Sequence, residues 1–312
     1  MPRHFKSKDL ITIRDLNREE LEEIMDRAEE MEQFRAGGTD IARGRILATL
    51  FFEPSTRTRL SFQAAIKRLG GDTIGFSSDE GTSVQKGETL ADTLRVVAEY
   101  ADMVLLRHPR EGSAKLASEF LRVPVINGGD GSANHPTQTL LDLYTIRKEL
   151  GEISGHTIAL VGDLRYGRTT RSLARALTAY PDVELILTSP RQLRMRKDLL
   201  LELENSGLNP LETDDLEETA EKADVLYATR IQKERFPDLA EYEKVARSYE
   251  IDRELLEEGG EPLLMHPLPR VTEIKNDVDD MDCAVFFEQA GNGVPVRMAL
   301  ISLLLENASE GD

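Results

Sequence analysis

The run Ile46 to Phe52, ILATLFF, constrains the fold more than any other part of the sequence. An apolar stretch this short and this continuous reads as a strand buried on both faces, which parallel sheets covered by helices on both sides require. A helical pattern follows it at once, from about Ser55 to Leu69. The alternation then repeats, with strands expected at Asp72–Phe76, Met103–Leu106 and Val123–Asn127 and helices at Leu16–Phe34, Thr89–Tyr100 and Ala114–Phe120. Such βαβ order predicts an α/β fold.

Past His135-Pro136, Gln138 to Leu150 reads as one helix, and Gly151 to Gly155 marks a fresh start. The second half opens with HTIALVGD as a strand, then a turn and a helix from Thr169 to Ala179. Further strands are expected at Val183–Thr188, Val225–Ala228, Leu263–Met265 and Ala284–Phe287. At 312 residues, two domains are the natural division. We expect each to hold a doubly wound, mainly parallel sheet flanked by helices. The expected bounds are 1–135 for the first domain, 136–150 for a linking helix and 151–292 for the second domain. Periodicity does not say which domain the apolar helix Val294–Leu305 joins; residues 293–312 are expected to pack back on the first.

The net charge of −18 argues against nucleic acid or an anionic membrane surface as partner. A small anionic substrate needs local cations instead, and 28 of the 39 basic residues are arginine, whose planar fork grips phosphate and carboxylate bidentately. The single cysteine, Cys283, allows no internal disulfide and no paired metal spacing. No metal or other cofactor is expected. MPRHFKSKDLITIRDL lacks the apolar core of a signal peptide, and no apolar run is long enough to span a bilayer, so the cytoplasm is the expected location.

Directly after ILATLFF comes Ser55-Thr56-Arg57-Thr58-Arg59. A helix N-terminus offers unpaired N–H groups and a partial positive charge, and this one adds three hydroxyls and two guanidinium groups. A lone serine here would most simply cap the helix. The density of donors points to phosphate, held without the G-x-x-x-x-G-K-[ST] loop of nucleotide-triphosphate sites.

FFEPSTRTRLSF closely resembles the carbamoyl-phosphate motif of the aspartate/ornithine carbamoyltransferase family. In order along the chain follow GTSVQKGETLADT, Arg107-His108-Pro109, His135-Pro136-Thr137-Gln138, then DLRYGR, TRIQKER and HPLPR. The resemblance implies that Ser55, Thr56, Arg57, Thr58 and Arg107 bind the phosphate, and that His135, Arg107 and Thr58 reach the carbamoyl oxygen. Gln138 and the backbone carbonyl of Leu268 would hold the carbamoyl amine. Ser83 and Lys86 would reach the site of a neighbouring chain in a homotrimer, with Lys86 also serving catalysis and the second substrate.

For that second substrate, the resemblance is to family members that carbamoylate aspartate. Arg168, Arg230 and Gln232 would bind its two carboxylates, with Leu268 and Pro269 shaping the pocket. Ornithine-using members typically carry a cysteine beside the corresponding Leu-Pro, and here His266-Pro267 precedes it. Glu53 would pair with Arg168 and Arg235 on closure. The implied reaction moves the carbamoyl group of carbamoyl phosphate to the α-amine of L-aspartate, an early step of de novo pyrimidine synthesis. A separate regulatory chain is compatible with this reading.

Two features bear on other functions. HTIALVGDLRYGR has the strand-turn-helix shape of a dinucleotide-binding unit, but G-x-G-x-x-G is missing and Arg168 fills the turn. A ligand-binding but unreactive relative would lack principal site residues, and none is lost.

Overall fold

A computed structural model of the protein describes residues 4–78, 83–131, 134–231 and 249–310. The chain divides into two compact units, Met1–Tyr144 with Asn292–Asp312, and Thr145–Gly291.

In the first unit four parallel strands, β1 (Ile46–Phe51), β2 (Asp72–Phe76), β3 (Met103–His108) and β4 (Val125–Asp130), lie in the order β2-β1-β3-β4. All but the first residue of β1 are buried, as expected for a central strand with helices on both faces. Its side chains join those of β3 and the neighbouring helices in a core containing Ala48, Leu50, Leu94, Val104, Leu106 and Ala117. The sheet gains an edge contact from the N-terminal segment, where Leu10 bridges Ile126 in parallel.

The helices of this unit are α1 (Arg18–Glu32), α2 (Phe34–Gly37), α3 (Thr56–Arg68), α4 (Leu90–Ala98), α5 (Ser113–Phe120) and the start of α6 (Pro136–Leu150). The helix expected over Leu16–Phe34 is therefore two, α1 and the single turn α2. Helix α1 opens with a reciprocal capping box between Asn17 and Glu20.

The second unit carries five parallel strands, β5 (Thr157–Val161), β6 (Glu184–Thr188), β7 (Leu211–Thr213), β8 (Val225–Ala228) and β9 (Leu263–Met265), ordered β7-β6-β5-β8-β9. Helices α7 (Arg168–Leu177), α8 (Lys197–Asn205), α9 (Leu216–Lys222) and α10 (Arg253–Glu258) belong to it. Its core gathers Ala159, Val161, Leu226, Ala228, Leu256, Leu264 and Phe286.

One expected strand is absent. At Ala284–Phe287 only a single bridge forms, Ala284 to Leu264, and helix α11 (Phe286–Glu310) begins two residues later. A short apolar run such as AVFF cannot be assigned to strand or buried helix by periodicity alone. Helix α11 also starts earlier than Val294 and continues through Pro295. Among the described residues no helix is long and apolar enough to cross a membrane, and no cluster of His, Cys, Asp and Glu is arranged to hold a metal ion.

Candidate active site

In both units the described residues among those singled out in the sequence sit beyond the carboxyl ends of neighbouring parallel strands, the place where open α/β sheets bind ligands. In the first unit, β1 leads to Glu53 and α3, β3 ends in Arg107-His108, and β4 leads to His135 and α6. These three strands are contiguous in the sheet.

Ser55 is the N-cap of α3 in extended conformation, but its hydroxyl makes no capping hydrogen bond. Helices α1, α4, α9 and α10 are capped by Asn17, Thr89, Asp215 and Asp252. Without a side-chain cap, the start of α3 presents the helix end at which anions bind. Thr56 and Arg57 are exposed beside it, Ser55 and Arg59 are half-buried, and Thr58 is buried. Although Arg57 is exposed by area, the protein around it removes enough water to push its guanidinium below the ordinary arginine value.

Arg107 stands in register with Phe51 across β1 and β3, at the strand end that leads to Glu53 and Ser55. It is 6% exposed, donates from Nη1 to the carbonyl of Gly128 at 3.1 Å, and places Nη2 3.1 Å from Glu53 Oε2 in an ion pair. Glu53 therefore pairs with Arg107 within this unit. Of the two partners that the family resemblance implies for Glu53, Arg168 belongs to the second unit and Arg235 lies outside the described residues, as does Gln232.

His135 is buried just before α6, with Nδ1 3.4 Å from Thr137 Oγ1 and its carbonyl accepting the N–H groups of Gln138 and Thr139. One turn on, Gln138 Nε2 donates to Asp142 Oδ1 at 2.9 Å. A carboxylate only accepts, so this bond fixes the amide with its nitrogen towards Asp142 and keeps Oε1 as an acceptor. A donor on a bound ligand would find its acceptor there. Asp142 escaped the sequence reading, yet its i,i+4 spacing from Gln138 on a helix was the available signal. Lys86 is exposed at the end of the 3-10 turn Ser83–Lys86, which follows β2.

The second unit repeats the logic on β5, β8 and β9, again three adjacent strands. Gly162 at the end of β5 has φ of +110°, and a Cβ there would lie 2.3 Å from the carbonyl of Thr229. Gly167 is equally restricted, since its Cβ would meet the carbonyl of Asp163 at 2.4 Å. These contacts bring the β5 turn against the end of β8. Half-buried Arg168 begins α7 after the first turn, and half-buried Arg230 leaves β8 at the second.

After β9, Leu268 adopts φ of +55° and is joined to Pro269 by a cis peptide. Leu268 packs half-buried against the core of the second unit, and Pro269 is exposed. Its turn is held by His266, whose Nδ1 accepts the Leu268 N–H at 2.8 Å and whose Nε2 lies 2.9 Å from Glu273 Oε1.

Two family models match the chain, the carbamoyl-phosphate-binding domain of aspartate/ornithine carbamoyltransferase over residues 8–148 and the Asp/Orn-binding domain over residues 154–304. The chain belongs to the aspartate/ornithine carbamoyltransferase family. Within this family it is similar to the aspartate carbamoyltransferase catalytic subunit of Thermococcus kodakarensis, with 57% identity over 304 residues, covering 96% of this chain and 98% of the relative. The solved catalytic subunit of the Methanocaldococcus jannaschii aspartate transcarbamoylase is 52% identical with a TM-score of 0.92, covering 98% of this chain and 100% of the other. The Trypanosoma cruzi carbamoyltransferase, solved with N-(phosphonacetyl)-L-aspartic acid, is 38% identical with a TM-score of 0.90 and 95% of each chain covered.

Proposed function

We propose that this chain transfers the carbamoyl group of carbamoyl phosphate to the α-amine of L-aspartate, giving N-carbamoyl-L-aspartate and phosphate, and so serves pyrimidine synthesis. The observation that carries the choice of acceptor is the pair Arg168 and Arg230, which leave adjacent strands β5 and β8 at turns packed on one another. Two cations suit a substrate with two carboxylates. Complexes of the Trypanosoma cruzi relative with carbamoyl phosphate and aspartate support the same acceptor.

Carbamoyl phosphate is an activated mixed anhydride, so the neutral amine attacks the carbonyl carbon directly. Arg107, His135 and Thr58 stabilise the oxyanion that forms on the carbonyl oxygen. The bond from carbon to the bridging oxygen then breaks, and the departing phosphate takes the amine proton. Gln138 Oε1 and the Leu268 carbonyl accept from the carbamoyl N–H groups and so orient the carbonyl. Orientation of two bound reactants supplies about 7–11 kcal/mol of the barrier in favourable cases. Ser55, Thr56 and Arg57 hold the phosphate, and Gln232, Leu268 and Pro269 complete the aspartate side.

In this reading the enzyme works in the cytoplasm as a homotrimer, with Ser83 and Lys86 serving the site of a neighbouring chain. Glu53, with Arg168 and Arg235, favours the closed form. Incubation with carbamoyl phosphate and aspartate, followed by mass spectrometry, tests the reading. Formation of carbamoyl aspartate with an equal amount of phosphate is expected, and its absence under conditions where the chain is folded sinks it.

A further inference from the structure

The turn after β9 places a leucine at φ of +55°, a conformation that side chains with a Cβ rarely adopt and that surrounding contacts must hold. The holding group is His266, which is 2% exposed. Its Nδ1 accepts the Leu268 N–H at 2.8 Å, so Nδ1 carries no proton. The proton therefore sits on Nε2, where it donates to Glu273 Oε1 at 2.9 Å. The other oxygen of Glu273 accepts the N–H groups of Val271 at 3.1 Å and Thr272 at 3.0 Å. The backbone N–H of His266 donates to Gln289 Oε1 at 2.8 Å, which anchors the start of the turn to α11.

We propose that His266 and Glu273 are positioning residues for carbamoyl transfer, the Glu273 carboxylate fixing the Nε2–H tautomer of His266 and the Nδ1 lone pair fixing the Leu268 turn. The proposal rests on the reading that the Leu268 carbonyl receives the carbamoyl amine. With the N–H of Leu268 tied to the imidazole, the peptide plane before this residue is set at the entry to its left-handed φ of +55°, from which its carbonyl projects. A second-sphere carboxylate that selects an imidazole tautomer is a common device around reactive histidines. Here it acts on the shape of a substrate-binding turn.

Glu273→Gln isolates the effect. The oxygen of a glutamine at this position stays committed to the N–H groups of Val271 and Thr272, which leaves its NH2 facing Nε2. Nε2 must then accept, the proton moves to Nδ1, and there it opposes the Leu268 N–H. In protein labelled with 15N-histidine, the His266 signals, assigned by their loss in His266→Asn, are expected to report the Nε2–H tautomer in the wild type. In E273Q they should shift to Nδ1–H, with kcat about tenfold to a hundredfold lower, since small misplacements of bound groups cost that much. Inhibition by inorganic phosphate, which depends on Ser55 to Arg57 in the other unit, should be unchanged.

A wild-type spectrum showing Nδ1–H or imidazolium overturns the proposal, as does an E273Q enzyme that changes tautomer while keeping kcat within twofold. If E273Q does not fold, His266→Asn decides, because its Oδ1 can take the place of Nδ1 and accept the Leu268 N–H. It should retain at least tenfold more kcat than His266→Ala, and equal values overturn the proposal. A folded wild type that carbamoylates neither aspartate nor ornithine refutes the underlying reading instead, while the tautomer measurement still stands.

Discussion

Arg107 and Glu53 form an ion pair of 3.1 Å at the carboxyl ends of two adjacent parallel strands, with the arginine side chain 8% exposed and the carboxylate 34% exposed. The pair fixes a buried cation beside the start of α3, where phosphate is proposed to bind. In the proposed mechanism Arg107 serves both phosphate and oxyanion, so steady-state kinetics of Arg107→Ala should show kcat lowered by about a hundredfold to a thousandfold. Glu53→Gln keeps the shape and loses the charge. It should raise the aspartate KM far more than it weakens carbamoyl-phosphate binding by calorimetry, and equal loss of both would refute the closure role.

Behind the same half-site Arg297 is buried, over the ring of Phe62 at 5.1 Å, and a Cβ on Gly293 would collide with its guanidinium. Burial pushes its pKa down to about 10 against the opposing pull of Asp142. Asp142→Asn removes that pull and should lower the stability read by denaturant unfolding. It also offers the Gln138 amide a second orientation. Pairing Asp142→Asn with Arg297→Met should return part of the stability, whereas additive losses would argue that the two charges do not act on each other.

How much of this was legible in the sequence follows from where each residue sits. Strands β1, β5 and β8 are continuous apolar runs bounded by turns, so their positions and the α/β class were readable, as was the expectation that Ser55 to Arg59 opens a helix. Short edge strand β7 and helices α8 to α10 escaped because they carry few buried residues in any one period. The AVFF segment was misread because a buried helix start and a buried strand share one pattern. Among site residues, arginines after strands announced themselves through motif company. His266 as the holder of Leu268, and Glu273 behind it, depend on a turn whose left-handed leucine no periodicity reveals.

Glu273 also predicts a pH dependence. Burial raises its carboxyl pKa, but hydrogen bonds from His266 and the backbone outweigh this and hold it below the ordinary glutamate value. A depressed folded value means that the unfolded chain binds more protons, so the contribution is full above the ordinary value of about 4.3 and is lost as pH falls below it. Thermal melts of the wild type should lose stability on acidification below that point more steeply than those of Glu273→Gln. Parallel curves would contradict the assignment.

The proposed sharing of sites between chains makes a separate prediction for Lys86, exposed on its turn. Chains carrying Arg57→Ala and chains carrying Lys86→Ala, each nearly inactive alone, should recover part of the activity when mixed and reassembled. In mixed trimers verified by native mass spectrometry, no recovery would place Lys86 in the site of its own chain.

Arg168 and Arg230 are proposed to select aspartate as the acceptor. An equimolar mixture of L-aspartate and L-ornithine, incubated with carbamoyl phosphate and this chain, reads that selection directly by mass spectrometry of the products. Carbamoyl aspartate should form with no carbamoylated ornithine, and carbamoylated ornithine without carbamoyl aspartate would contradict the account.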